Sequence, residues 1–300
     1  RPTMKKILYI ISLGLALTSC NDSFMEREPV GSLVESNAFT SYDNFRAYMY
    51  KCYGLFTDGR IMTNNSGAYY HNNGQYLSDH YSGLMTDRDL WKNPYAYQTI
   101  NTVTASNNWD FSSIRSINIM LSHLEDGALT EEQQRHWRSV GYFFHSWWYM
   151  ELVARYGDIP YITSVLTDES PEAYGERTPR GEVANSIIER LEYAIDNMGD
   201  SKADGDNTVT ADVCRAALSR FLLREATWAK YHGLNEDYKT YLEKCLKVSG
   251  ELMQAYPELY KGNGNDHYPA AGFDNEYTTE DLTGAPGVIL FKLYVDGVLT

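Results

Sequence analysis

A chain of 300 residues, 43% of them hydrophobic, carries enough apolar side chains to fill one large or two ordinary domains. Its 40 acidic residues outnumber 26 basic ones, for a net charge of −14. Such a surface repels phosphate backbones and anionic headgroups, which argues against nucleic-acid binding and leaves neutral ligands without penalty.

The chain opens on Met4-Lys5-Lys6, an apolar run from Ile7 to Leu17, then Thr18-Ser19-Cys20. A basic start, a short apolar segment and small residues before a cut site are the marks of a secretory signal peptide. The run is too short to span a bilayer, which takes about 20 apolar residues. Small residues ending in a cysteine fit a lipoprotein signal, in which the Cys20 thiol takes a diacylglyceryl group and becomes the new N-terminus. The plain alternative is an ordinary signal with an incidental cysteine. Residues 1–19 are therefore read as a signal peptide, with 1–3 an upstream remnant, 20–36 as a lipidated tether and 37–300 as the folded domain. Loss of Arg1, Lys5 and Lys6 with the leader takes the net charge from −14 to −17, and the lipid is then the only expected membrane contact. Cys52, Cys214 and Cys245 are odd in number and widely spaced, so they imply no disulfide framework or zinc site. Burial as small apolar residues is expected for all three, although a Cys214–Cys245 bond is permitted in an oxidising compartment.

Helices are expected in succession. Ser41 is a good N-cap for a first helix carrying Phe45, Tyr48, Met49, Cys52 and Tyr53. A second follows Trp109, with Ile114, Ile117, Met120, Leu121 and Leu124 on one face and Gly127 as its stop. Thr130 and Gln133 form a capping box that opens a long helix through Tyr142, Phe143, Trp147 and Val153, ended by Gly157 and barred from restarting by Pro160. A fourth begins near Arg180 and shows the cleanest apolar stripe, through Val183, Ile187, Leu191 and Ala194. Thr210 caps a fifth, in which small Ala216 and Ala217 beside Phe221 and Leu222 suit close packing. Tyr238, Tyr241, Leu242, Cys245, Leu246 and Met253 mark a sixth, ending near Tyr256-Pro257. Helix pairs that each leave an apolar face uncovered must stack on neighbours, so the fold class is all-α, a tetratricopeptide-like helical-repeat solenoid with long irregular loops.

Between the first two helices, residues 64–108 are too aromatic for disorder and too long for a plain connection. Sugar rings present a flat C–H face to indole or phenol, and amide or carboxylate groups take the flanking hydroxyls. Trp91, Asn93, Tyr95 and Tyr97, with Tyr69, Tyr70 and Asp79, carry that mixture and form the candidate glycan platform. Equally, these rings could cover the first helix pair or meet a partner protein. A weaker second platform combines Tyr256, Tyr260, Tyr268, Phe273 and Tyr277. Catalytic motifs are absent and the seven histidines are scattered. His145, on a packed helix, is expected to be a hydrogen-bonded core residue. Asp200, Asp204, Asp206 and Asp212 cluster between two helices, but glycine sits wrongly for an EF-hand, so a solvated turn is expected and no metal or cofactor.

Several ordered motifs resemble the SusD/RagB family of outer-membrane nutrient-binding lipoproteins. They are Trp109 to Asn118, the aromatic stretch Tyr142 to Tyr149, Arg155-Tyr156-Gly157-Asp158-Ile159-Pro160-Tyr161, Arg177 to Val183, and Thr210 to Trp228; Cys20 followed by Phe24 and Pro29 matches the family's N-terminus. Each also has a bland physical reading: glycine caps, Asp158 can bond free amides, and proline stops a helix. The resemblance implies a surface lipoprotein of the outer membrane that binds oligosaccharides or peptides and presents them, uncut, to a SusC-like TonB-dependent transporter. Family members are typically far longer, and the present chain stops at Thr300, soon after the strand-like run Val288 to Tyr294. A truncated frame or fragment, lacking much of the family's C-terminal half, is therefore expected. Competing functions are a helical glycoside hydrolase, which needs two carboxylates about 5 to 10 Å apart, and a structural transporter lid without its own glycan site.

Overall fold

A computed structural model describes residues 38–56, 109–199, 204–205, 207–234, 237–260, 281–291 and 293. Spatial contacts divide the chain into residues 1–38 and 39–300, and everything below concerns the second unit. The signal and lipid segment with Cys20 lies outside the described residues. So do Tyr69, Tyr70, Asp79, Trp91, Asn93, Tyr95 and Tyr97, along with Asp200, Asp206, Tyr268, Phe273 and Tyr277.

Among the described residues the fold is all-α, with six α-helices: α1 Tyr42–Tyr50, α2 Ser112–Ser122, α3 Glu131–Tyr156, α4 Arg180–Asn197, α5 Ala211–His232 and α6 Tyr238–Ala255. A 3-10 turn, Lys51–Phe56, continues α1, and another covers Pro171–Tyr174. Caps set most of the starts. Ser41 Oγ accepts from the Asn44 amide, Thr130 and Gln133 complete a capping box, and Thr210 Oγ1 accepts from the Val213 amide. α2 stops at Ser122 rather than at Gly127, because Leu124 leaves helical geometry to bury its side chain. Gly127, at φ +92°, bends the connection instead.

Successive helices run antiparallel. Trp148 on α3 donates to the Asp110 carbonyl just before α2, while Gly141 further back meets Met120 and Leu121 near the end of α2. Tyr142 near the start of α3 packs on Tyr193 near the end of α4. Arg215 at the start of α5 reaches Glu251 at the end of α6. α4 and α6 flank α5 in parallel, joined by Tyr241 to Asn185 and by Lys244 to Glu192. This is the tetratricopeptide-like arrangement the apolar stripes predict, since the inner helices α2 to α5 each pack on the helix before and the helix after. The core is aromatic along α3, where Phe143, Phe144 and Tyr149 are fully buried.

α6 departs from expectation. Only Tyr241 and Val248 are buried in it, whereas Leu246 and Met253, predicted to face inward, are 73% and 74% exposed. The sixth stripe is wide enough for two faces, and among the described residues only one is covered.

After α3 the chain runs extended and is held by side chains rather than by a sheet. Gly157 caps α3 at φ +70°, and Ile159 and Thr178 exchange two main-chain hydrogen bonds of 3.1 and 3.0 Å. Asp158 Oδ1 accepts from the Arg180 amide at 2.9 Å and so caps α4, whose own N-cap, Pro179, cannot. Tyr149 OH donates to the Pro160 carbonyl and accepts from the Ile162 amide. Asn118 donates to the carbonyls of Ile162 and Ser164, and Arg115 to that of Leu166. The motif residues at 109–118 and 155–161 therefore serve to seat one extended segment, satisfying main-chain groups that no strand pairs.

Candidate functional site

Three polar groupings in the described residues might be taken for chemistry, and their surroundings settle two as structural. His145 is fully buried on α3 and its Nε2 lies 2.9 Å from the Ile162 carbonyl. A carbonyl only accepts, so Nε2 carries a proton. Burial holds its pKa well below the usual histidine value, the Arg190 guanidinium adds to that, and the bond to Ile162 opposes them. The expected core histidine is what the structure contains.

Arg180 and Glu225 form the second grouping, a forked ion pair with Nε–Oε2 at 2.8 Å and Nη2–Oε1 at 3.0 Å. The Arg180 guanidinium also donates to the Val153 carbonyl and lies 4.6 Å from the Trp228 ring centre. Every polar atom has a use in joining α3, α4 and α5.

Asp204 corrects the solvated-turn expectation. It is 7% exposed, and both carboxylate oxygens are occupied: Oδ1 accepts from Tyr42 OH and Oδ2 faces His136 Nε2, each at 2.6 Å. Its carbonyl accepts from Tyr50 OH. Burial first, then the bond to Asp204, pushes the Tyr42 phenol pKa above its ordinary value. Asp212 is likewise engaged, by Arg215 and Tyr256. No group of three or more metal-binding side chains occurs among the described residues. The cysteines are free, Cys52 and Cys214 buried and Cys245 part-exposed, with Cys245 Sγ directed at the Ser219 carbonyl rather than at Cys214.

Among the described residues a cleft of about 520 Å³ has room for a ligand, within the range of about 300 to 1,000 Å³ usual for small-molecule sites. The turn after α1 supplies Tyr53 and Phe56, α3 supplies Trp147, and α5 supplies Val213, Ala216, Ala217 and Arg220. Phe56 and Trp147 meet edge to face at 5.0 Å, and Tyr53 and Phe56 both pack on Phe144 behind them. Tyr53 OH accepts from the Val209 amide at 2.8 Å, and burial pushes its pKa up to about 12, so it stays a neutral phenol. Residues 289–291 form the far wall. They are not paired as a strand; instead the Asn207 amide imitates one, donating to the Phe291 carbonyl at 2.6 Å and accepting from its amide at 3.2 Å. A smaller cavity of about 230 Å³ lies between α2 and residues 162–166 and is nearly all apolar.

The cleft's residues were not singled out as a site from sequence. Trp147 reads as one more apolar position of the long third helix, and Phe56 and Arg220 carry no sequence signal of their own. Only their convergence from three elements distinguishes them.

The described residues thus form an all-helical array with an aromatic cleft, and no helix among them is long and apolar enough to cross a membrane. A family model described as "Starch-binding associating with outer membrane" matches residues 43–223, and the chain belongs to this SusD-like family. "SusD-like protein P2" of Formosa agariphila is 27% identical over 219 residues, covering 66% of this chain and 38% of that protein. A "SusD-like protein" of Bacteroides ovatus is 23% identical over 286 residues, covering 87% and 48%. The chain thus spans less than half the length of these relatives. Among solved structures, a SusD-like protein from Bacteroides fragilis aligns with a TM-score of 0.47 at 18% identity, over 79% of this chain and 43% of that one. A SusD-like carbohydrate binding protein from Bacteroides vulgatus gives 0.48 at 16% identity, over 77% and 50%.

Proposed function

We propose that this protein is an outer-membrane lipoprotein, acylated at Cys20, that binds oligosaccharides at the cell surface and passes them uncut to a SusC-like TonB-dependent transporter. The observation that carries this reading is the family match over residues 43–223, whose description joins starch binding to the outer membrane. Trp91, Asn93, Tyr95 and Tyr97, with Tyr69, Tyr70 and Asp79, are the proposed glycan contacts, because they combine stacking rings with hydroxyl-binding side chains. The aromatic cleft of Phe56 and Trp147 is a second place for a sugar ring.

Binding without turnover is favoured over a glycosidase by the cleft's described lining, which lacks the pair of carboxylates such hydrolysis requires. Incubating the folded protein with a polysaccharide panel separates the readings. Gel retardation without new reducing ends is the expected outcome; new reducing ends support the hydrolase, and neither effect leaves a structural lid. Incorporation of labelled palmitate, lost in Cys20→Ala, tests the anchor.

A further inference from the structure

We propose that the cleft between the 51–56 turn, α3 and α5 takes an acidic sugar residue, a hexuronate whose carboxylate is read by Arg220. This rests on the oligosaccharide-binding reading above and adds the charge class of the ligand.

Two of the polar groups in the cleft are already engaged by the main chain. The Tyr53 hydroxyl is engaged by the Val209 amide, and both ends of the Asn207 amide are engaged by Phe291. That leaves Arg220. It is exposed and follows Ala216 by one helical turn, so its stem rises from the same face of α5 that lines the cleft. Its neighbours on α5 are matched: Arg215 pairs with Asp212 and Glu251, and Arg224 with Glu225 and the Met150 carbonyl. Arg220 has no such partner among the described residues, and no described acid lines the cleft.

In a chain with 40 acidic and 26 basic residues, a guanidinium without a carboxylate beside an apolar cleft is out of keeping with its surroundings. A guanidinium presents a planar fork that fits a carboxylate through two parallel charge-assisted hydrogen bonds, roughly twice as strong as those between neutral groups. In the same cleft the Phe56 and Trp147 rings offer an apolar surface for the C–H face of a pyranose, and the small side chains of Ala216 and Ala217 also line it. A hexuronate has both an apolar face and an anionic edge. The negative charge of the whole protein does not forbid it, because charges beyond about 8 Å are largely screened at physiological ionic strength, whereas the Arg220 contact is direct.

The test is calorimetric titration of the full chain with acidic oligosaccharides, each beside a neutral counterpart. Suitable pairs are oligogalacturonate with its methyl ester, glucuronate-substituted xylan fragments with plain xylo-oligosaccharides, and oligomannuronate with manno-oligosaccharides. For at least one pair the acid is expected to bind about ten-fold tighter, as a charge-assisted fork predicts, with the advantage shrinking as salt rises. Arg220→Gln should abolish that advantage and leave both the melting temperature and the affinity for the neutral partner unchanged. Lys247→Gln, the same loss of charge at an exposed α6 position that does not line the cleft, should leave the advantage intact. Equal affinity within every pair, or an acid preference that survives Arg220→Gln, overturns the assignment while oligosaccharide binding stands. Failure of acidic and neutral oligomers alike overturns both.

Discussion

Arg180, the first residue of α4, and Glu225, in the last third of α5, face each other 45 residues apart as a forked ion pair that is almost wholly buried. The pair fixes how α4 meets α5, and the third bond to Val153 ties in the end of α3. Removing one partner strands the other charge. Glu225→Gln is expected to destabilise the fold by about 3 to 5 kcal/mol in urea denaturation, whereas Arg180→Met combined with Glu225→Leu should recover most of that loss. Additive single effects in the double variant would mean the two side chains do not act as a pair.

The pair also marks where sequence reading stops. Ser41, Thr130 with Gln133, and Thr210 announce their helices because a cap bonds an amide two or three residues on, so the signal is local. The antiparallel order follows from the apolar stripes and, for α2 with α3 and α5 with α6, from short connections. Asp158 capping Arg180 across 22 residues, and Asp204 meeting His136 across 68, leave no local trace; a polar residue in a connection reads as solvated until its partner is placed. The same holds for α6, where Leu246 and Met253 have helical spacing but no described neighbour to cover them. The cleft was illegible for the converse reason, since a ring lining a cavity has the same spacing as a ring filling a core.

His145 makes stability pH-dependent in a definite direction. Its native pKa is depressed, so the unfolded chain takes up a proton that the folded chain refuses. Its contribution is complete above the ordinary histidine pKa of about 6.5 and is lost as pH falls below it, at up to about 1.4 kcal/mol per pH unit until the native pKa is reached. Comparing denaturation of wild type and His145→Gln between about pH 7.5 and 5 isolates this term from other histidines. The wild type should show the steeper loss; parallel curves would place the proton elsewhere.

The thiols should react in order of access. Burial pushes the Cys52 pKa to about 12 and raises that of Cys214 further, while Cys245 is part-exposed and less displaced. A thiol reagent at mild alkaline pH is expected to modify Cys245 in the folded protein and to reach Cys52 and Cys214 only after denaturation, since the thiolate is the reactive form. Mass spectrometry of the labelled peptides reads this directly, and a Cys214–Cys245 disulfide in the native protein would contradict it.

Trp91 is the residue on which the proposed glycan platform depends most. A single stacking aromatic contributes about 0.5 to 1.5 kcal/mol beyond its buried area, so Trp91→Ala should weaken polysaccharide retention several-fold without altering the melting temperature. Unchanged retention would remove Trp91 from the site and shift attention to the cleft.

Asp204 connects stability to the cleft. Its carboxylate receives Tyr42 from α1 and His136 from α3, and three residues on, Asn207 holds the Phe291 main chain that forms the cleft's far wall. Asp204→Ala leaves the buried His136 without its partner, at a cost of about 1 to 3 kcal/mol, deprives the half-buried Tyr42 of its acceptor, and frees the short segment that carries Asn207. The first consequence is a drop in unfolding free energy. The second is local: hydrogen exchange at the Val209 and Phe291 amides, which bond Tyr53 and Asn207, should accelerate by more than the drop in global stability accounts for. Asn207→Ala should speed exchange at Phe291 while sparing the Tyr42–Asp204–His136 cluster, so the two variants together separate anchoring of the segment from its grip on the wall. Exchange at Phe291 that follows global unfolding in both variants would show that the wall is held by its apolar contacts, with the Asn207 amide incidental.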